Sequence, residues 1–162
     1  MGQRSVANGK TVIAFVAFYA LCFIVQSIGA YVTQLSVHDW YPALAKSSLT
    51  PPGMVFGIAW TILYLVMAGA ATCIYRARGT WRSRSLAWWL IQLLLGLMWS
   101  LVFFGQRAID LGFIIILLNW VAVAFTTYRF FRIERMAGWL MVPLLLWLSF
   151  ACYLNGFILT HN

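Results

Sequence analysis

The sequence predicts an all-α membrane protein, a single bundle of five transmembrane helices. Three observations carry that prediction. Apolar residues fill 64% of the 162 positions and charged ones only 9%, a balance that a soluble domain of this size cannot cover with polar surface. The apolar residues fall into five separated runs of about twenty, each long enough for one bilayer crossing, and together they leave no room for a soluble domain. The lysines and arginines sit in short clusters between the runs, where membrane topology accounts for them. The net charge of +8 is therefore read without a nucleic-acid partner.

Residues 1–11 form a short polar tail, and the first span follows over about 12–33. Its apolar part is too long for a signal peptide and lacks a small-x-small cleavage site, so it is read as a retained helix. Gln26, Ser27 and Gly29 interrupt its second half, which points that end toward protein or a cavity. The longest connection, 34–50, carries Trp40-Tyr41-Pro42 and Lys46. It is a stiff, amphipathic segment suited to lie as a lid over the bundle mouth or as an anchor at headgroup level.

The second span, about 53–75, follows Thr50-Pro51-Pro52-Gly53. Proline has no N–H to lose in a first helical turn, so the pair is placed at the helix start with Thr50 as its cap. Gly57, Trp60, Thr61, Tyr64 and Ala68 recur at three- and four-residue spacing and share a face of rings, hydroxyls and gaps. Trp60 lies roughly 12 Å inside the helix at ~1.5 Å per residue, deeper than the interfacial belt where tryptophan usually sits.

The third span, about 86–104, begins with Trp88 and Trp89, read as belt residues. Gln92, Gly96, Trp99, Ser100 and Phe103 fall on one side of it, and the Gly96-x-x-x-Ser100 step is a candidate homodimer face. The fourth span, about 109–131, has Asn119 and Trp120 at mid-depth. The fifth, about 136–159, holds Pro143, Trp147, Phe150, Ala151, Leu154 and Asn155. Pro143 removes a hydrogen bond to the carbonyl of Trp139 and is expected to kink the helix.

Nine Lys and Arg residues fall on one side of the spans (Arg4, Lys10, Arg76, Arg78, Arg82, Arg84, Arg129, Arg132, Arg135) and only Lys46 and Arg107 on the other. The excess places the amino terminus in the cytoplasm and the first loop and carboxyl terminus outside.

Trp60, Trp99, Trp120 and Trp147 lie near the middle of four different spans, whereas Trp81, Trp88, Trp89 and Trp139 sit at ends or loops. Indole is flat, polarisable and in need of an acceptor for its N–H. A cavity lined by Trp60, Trp147 and Tyr64 suits a planar aromatic ligand, with Gln92, Asn119 or Asn155 to hydrogen-bond it. No ionisable side chain other than Cys or Tyr lies at mid-depth, which argues against a proton-coupled pump. No nucleophile with its base, no carboxylate pair and no metal-ligand set is present; His38 and His161 lie outside the spans, and Cys22, Cys73 and Cys152 lack metal spacing. A carrier of apolar metabolites remains an alternative reading.

These residues resemble the TspO/MBR family, the translocator or tryptophan-rich sensory proteins also called peripheral-type benzodiazepine receptors. The resemblance covers nearly the whole chain after residue 12. It rests on Trp40-Tyr41, on Pro51-Pro52-Gly53 followed by Phe56, Trp60 and Tyr64, and on Gln92 to Gly105 with Trp99 and Phe103-Phe104-Gly105. Its last part is Pro143-x-x-x-Trp147-x-x-Phe150-Ala151-x-x-Leu154-Asn155. It implies a five-helix homodimer that binds porphyrins such as protoporphyrin IX or haem as ligands, with no resident cofactor. The ligand-binding set it implies is Trp40, Tyr41, Trp60, Tyr64, Gln92, Trp99, Phe103, Trp147, Phe150, Ala151 and Asn155. Light-dependent porphyrin breakdown in some bacterial members needs two tryptophans, which look like Trp60 and Trp147 here. Two positions depart from the family pattern: Gly96 replaces an asparagine and Leu144 a tyrosine, and both changes remove a polar pocket group. No Lys or Arg follows Tyr153, so the animal sterol motif looks absent. With the charge asymmetry, this points to a bacterial inner membrane.

Overall fold

Six α-helices carry the chain in the computed structural model, which describes residues 2–162, with side chains from residue 9 onward. They are α1 (Gly2–Val37), α2 (Trp40–Ala43), α3 (Gly53–Arg78), α4 (Arg84–Ser100), α5 (Ile109–Phe131) and α6 (Arg135–His161). A π-helical turn, Leu101–Gly105, extends α4. Five helices are long and apolar enough to cross a membrane: α1 from Gly9, α3, α4 with its π-turn, α5 and α6. Arg4, counted above among the basic residues, lies outside the described side chains.

The spans close into a ring. α1 packs on α3 and α4, α3 on α6, α6 on α5, and α5 on α4. Small residues let the backbones approach: Ala14, Ala68, Ala70, Ala71 and Ala137 are completely buried, as expected where helices associate in lipid. Large apolar side chains such as Ile62, Leu94, Leu118 and Leu146 are exposed on the outside, where acyl chains, not water, cover them. The protein is an integral membrane bundle.

Three local features differ from the sequence expectation. α1 begins within the tail expected at 1–11 and runs to Val37, past the expected end near residue 33. Its extra last turn is anchored by the buried Ser36, whose hydroxyl donates to the carbonyl of Phe104 at 2.5 Å. Thr50 does not cap α3. Its N–H donates to the carbonyl of Ser47 at 3.0 Å, and Pro52, extended at φ −57°, ψ 148°, takes the cap position. A proline drives the residue before it out of the helical region, so the Pro51-Pro52 pair leads into the helix instead of forming its first turn. The third difference is the π-turn after Ser100, a geometry that concentrates at functional sites. α6 runs unbroken through Pro143.

Candidate functional site

At mid-bundle, four spans meet around a small cavity. α3 contributes Trp60, Tyr64 and Met67; α4 contributes Gln92, Leu93 and Gly96; α5 contributes Asn119 and α6 contributes Leu144. Its volume is about 10 Å³, room for one water molecule. Two of its polar atoms are buried without a hydrogen-bond partner, Gln92 Nε2 and Asn119 Oδ1. Buried polar groups are nearly always paired, so two orphans facing one cavity are a signal. Trp60 and Tyr64 lie one turn apart with ring centroids 5.6 Å apart, making an aromatic wall.

The helical face predicted on the second span is thus partly internal. Trp60, Tyr64 and Ala68 face inward. A Cβ on Gly57 would meet nothing within 4 Å, and Thr61 is taken up at the edge, accepting from Gln26 Nε2 of α1 at 2.9 Å. Gln26 therefore serves helix contact. Both departures from the family pattern, Gly96 and Leu144, fall on the cavity wall. Gly96 faces α5: a Cβ there would stand 3.4 Å from Asn119 Nδ2. Ser100 packs on α1, its Oγ 3.3 Å from where a Gly29 Cβ would lie. The small-x-x-x-small step thus makes contacts within one protomer.

The remaining predicted ligand residues form two neighbouring groups. Toward the first-loop end of the bundle, Trp99 stacks on Phe103 with centroids at 5.6 Å. Trp40 meets Phe103 edge-on at 5.5 Å, and Tyr41 lies 5.5 Å from Phe104. Asn155 fixes Trp99, accepting its indole N–H at 3.1 Å while donating to the carbonyl of Ala151 at 3.0 Å. The second group lies along α6. Trp147 is wedged between Phe56 of α3 at 5.6 Å and Phe150 at 6.0 Å, and its own N–H is buried without an acceptor. Phe56 is one helical turn from Trp60, so this group borders the cavity wall on the same face of α3. Ala151 is buried in the core.

The first loop is held by its own polar contacts. Asp39 caps α2 through the N–H of Trp40 at 2.6 Å and pairs with Arg107 at 2.6 Å. These two bonds, the backbone one first, hold the Asp39 carboxyl below its ordinary range. Burial raises the Tyr41 phenol. The Lys46 ammonium donates to the carbonyls of Tyr41, Pro42 and Leu44 at 2.9, 3.0 and 3.1 Å. The Asn162 amide pairs both backbone groups of Ala45, so the carboxyl terminus clamps the same loop.

Two tryptophan assignments change. Trp120, expected among the converging indoles, points outward and donates to Ser149 Oγ at 2.8 Å. Trp89, expected in the interfacial belt, is 1% exposed, and its N–H has no partner. Depth along a helix can be counted in sequence, but direction around it cannot when every face is apolar. Among the described residues no group of three His, Cys, Asp or Glu side chains gathers as a metal site would require.

Comparison with known proteins agrees with this architecture. The TspO/MBR family pattern matches residues 18–160. The tryptophan-rich protein TspO of Chlorobaculum tepidum is 34% identical over 94% of this chain and 98% of its own. The tryptophan-rich sensory protein of Cereibacter sphaeroides is 35% identical over 87% and 86%, and the human translocator protein is 31% identical over 86% of each. With five spans in a closed ring and this family's pattern running through all of them, the chain belongs to the TspO/MBR family.

Proposed function

We propose that the protein is a membrane receptor for a tetrapyrrole, protoporphyrin IX or haem, held within the bundle beneath the first loop. The observation that carries this reading is the pair of orphaned amide atoms, Gln92 Nε2 and Asn119 Oδ1, facing a cavity walled by Trp60 and Tyr64. A packed core has no use for an unpaired donor and acceptor at its centre. A flat ligand with polar edges offers stacking for the rings and partners for the amides.

The donor set fits such a ligand, but the present volume does not. Ligand pockets span roughly 300–1,000 Å³, so binding requires the helices to part. The outer half of α3 is the element placed to move: Met54 is 78% exposed, and neither Gly53 nor Gly57 has a neighbour within reach of a Cβ. The same proposal includes a homodimer, an inner-membrane location and the arginine-rich end in the cytoplasm, the last from the positive-inside rule.

The test is titration of protoporphyrin IX into detergent-solubilised protein, with Trp60→Phe and Trp147→Phe. Weaker binding in the double variant is expected; unchanged affinity ends this placement. Illuminating the complex in oxygen then separates receptor from enzyme. Bleaching faster than that of free porphyrin in the same detergent would assign photochemistry to the two indoles.

A further inference from the structure

At the arginine-rich end of the bundle, on the stretch of α4 that precedes Gln92, a second cavity of about 380 Å³ opens between α1, the α3–α4 connection and the first turns of α4. Phe18 and Leu21 of α1 and Trp89 of α4 form its floor and walls, with Trp81 beside them and Arg82 and Arg84 at the rim. Phe18 is held between two indoles, with centroids 5.1 Å from Trp81 and 5.2 Å from Trp89. Trp81 and both arginines are exposed.

Three features define what fits. The walls are mainly apolar, and about 380 Å³ is room for a hydrocarbon segment. The two guanidiniums have no carboxylate within ion-pair distance among the described residues, where the single salt bridge is Arg107 with Asp39. Trp89 lines the cavity at 1% exposure, and its indole N–H is buried with no acceptor.

We propose that this cavity binds one anionic phospholipid of the adjoining leaflet. The cavity lies where two spans end, α3 at Arg78 and α4 at Arg84, which is the depth of a headgroup and its glycerol. The phosphate meets Arg82 and Arg84, charge-assisted and with fork geometry available. A phosphate or ester oxygen accepts from Trp89, and an acyl chain lies against Phe18 and Leu21. Basic pockets between spans are the general form of lipid-headgroup recognition in membrane proteins. A net negative headgroup is preferred over a zwitterionic one because Arg76 and Arg78 continue the same positive field and repel a choline.

The test uses the full chain in neutral detergent, titrated with phosphatidylglycerol or phosphatidylcholine and read by native mass spectrometry. One phosphatidylglycerol is expected to remain bound at roughly tenfold lower concentration than phosphatidylcholine, two arginines near a headgroup being sufficient for that preference. Arg82→Gln with Arg84→Gln abolishes the preference, while Arg132→Gln with Arg135→Gln, in the other basic loop, retains it. Ala87→Trp, which fills the cavity and leaves both arginines, also loses the lipid; all variants are checked for unchanged melting and monodispersity. Equal retention of the two lipids, or equal loss in the two arginine pairs, overturns the proposal. So does unaltered phosphatidylglycerol binding in Ala87→Trp, or its displacement by millimolar inorganic phosphate, since either reduces the site to a bare anion contact.

Discussion

Replacing Gln92 with methionine separates a ligand site from a packing defect, because the two readings predict opposite balances of stability and binding. Gln92 is 2% exposed, and its Nε2 has no partner. Leaving a buried donor unpaired costs about 1–3 kcal/mol. Methionine has nearly the same length and shape, carries no donor, and fills irregular space well. The ligand-free Gln92→Met protein should therefore melt at the same temperature as the parent or a few degrees higher.

Binding should move the other way. A hydrogen bond from the amide to the ligand contributes about 0.5–1.5 kcal/mol net, so its loss weakens affinity by about 2- to 12-fold. The assay is a paired measurement in one detergent: thermal unfolding without ligand, and quenching of tryptophan fluorescence by protoporphyrin IX. A destabilised ligand-free variant would show that Gln92 has a structural partner in the resting protein. Unchanged affinity at raised stability would show that the orphaned amide is a defect and not a ligand group. Either result removes the observation on which the tetrapyrrole reading rests.

Other positions make independent claims. Trp60→Phe should weaken protoporphyrin binding, whereas Trp120→Phe, whose indole points outward to Ser149, should leave it unchanged; the same titration checks both. Gly112→Ala should lower the melting temperature, because its Cβ would lie 2.8 Å from Phe103 Cδ2 and 3.0 Å from Phe103 Cβ, and Phe103 is fully buried; such overpacking costs about 1–3 kcal/mol. Arg107 sits at φ 56°, a region that strains a residue bearing a Cβ. Arg107→Gly should therefore raise bundle stability slightly while quickening hydrogen exchange over 39–44, since the pair with Asp39 is lost. The Asp39 carboxyl is held low by the Trp40 N–H and by Arg107. A lowered carboxylate pKa gives a contribution that is present above the ordinary aspartate value and lost as pH falls through the lowered one. Exchange at 39–44 should accordingly rise only on acidification below the ordinary carboxylate range, and Asp39→Asn should flatten that dependence.

Which parts of this site could be read in the sequence follows from what kind of signal a membrane helix carries. In a soluble helix the apolar stripe marks the inside. Here every face is apolar, and the inside is marked by residues that lipid would not choose. Gln92 and Asn119 were legible for that reason, as were Trp60 and Tyr64 at four-residue spacing, and all four line the cavity. Trp120 and Trp89 misled because an indole is acceptable on either side. What decides is the acceptor: Trp120 finds Ser149, whose hydroxyl is itself tied back to the Leu145 carbonyl at 2.9 Å, while Trp89 is sealed in by Phe18 of another span. The first loop was legible as an aromatic segment, but not its fastenings. The three donors of Lys46 are occupied by three carbonyls of its own loop, a closure that no spacing rule announces.

The fastenings bear on how a large ligand reaches a cavity of one water's size. On the proposed reading the cover and the wall cannot both be rigid. The cover is tied at four points: Asp39 to Arg107, Lys46 to its own carbonyls, Asn162 to Ala45, and Ser47 to Tyr153 at 3.2 Å. α3 is tied differently along its length. Its inner half is locked by Ala68, Ala70 and Ala71, all without exposure. Its outer half carries one polar tie from α1, Gln26 to Thr61, and the ring contact of Phe56 with Trp147. An exposed hydrogen bond and one edge-on ring pair contribute on the order of 1 kcal/mol each, less than the many contacts a helix core would lose. The bundle therefore opens most cheaply by bending α3 near Trp60, which widens the cavity at its aromatic wall and leaves the clamped loop in place as the roof.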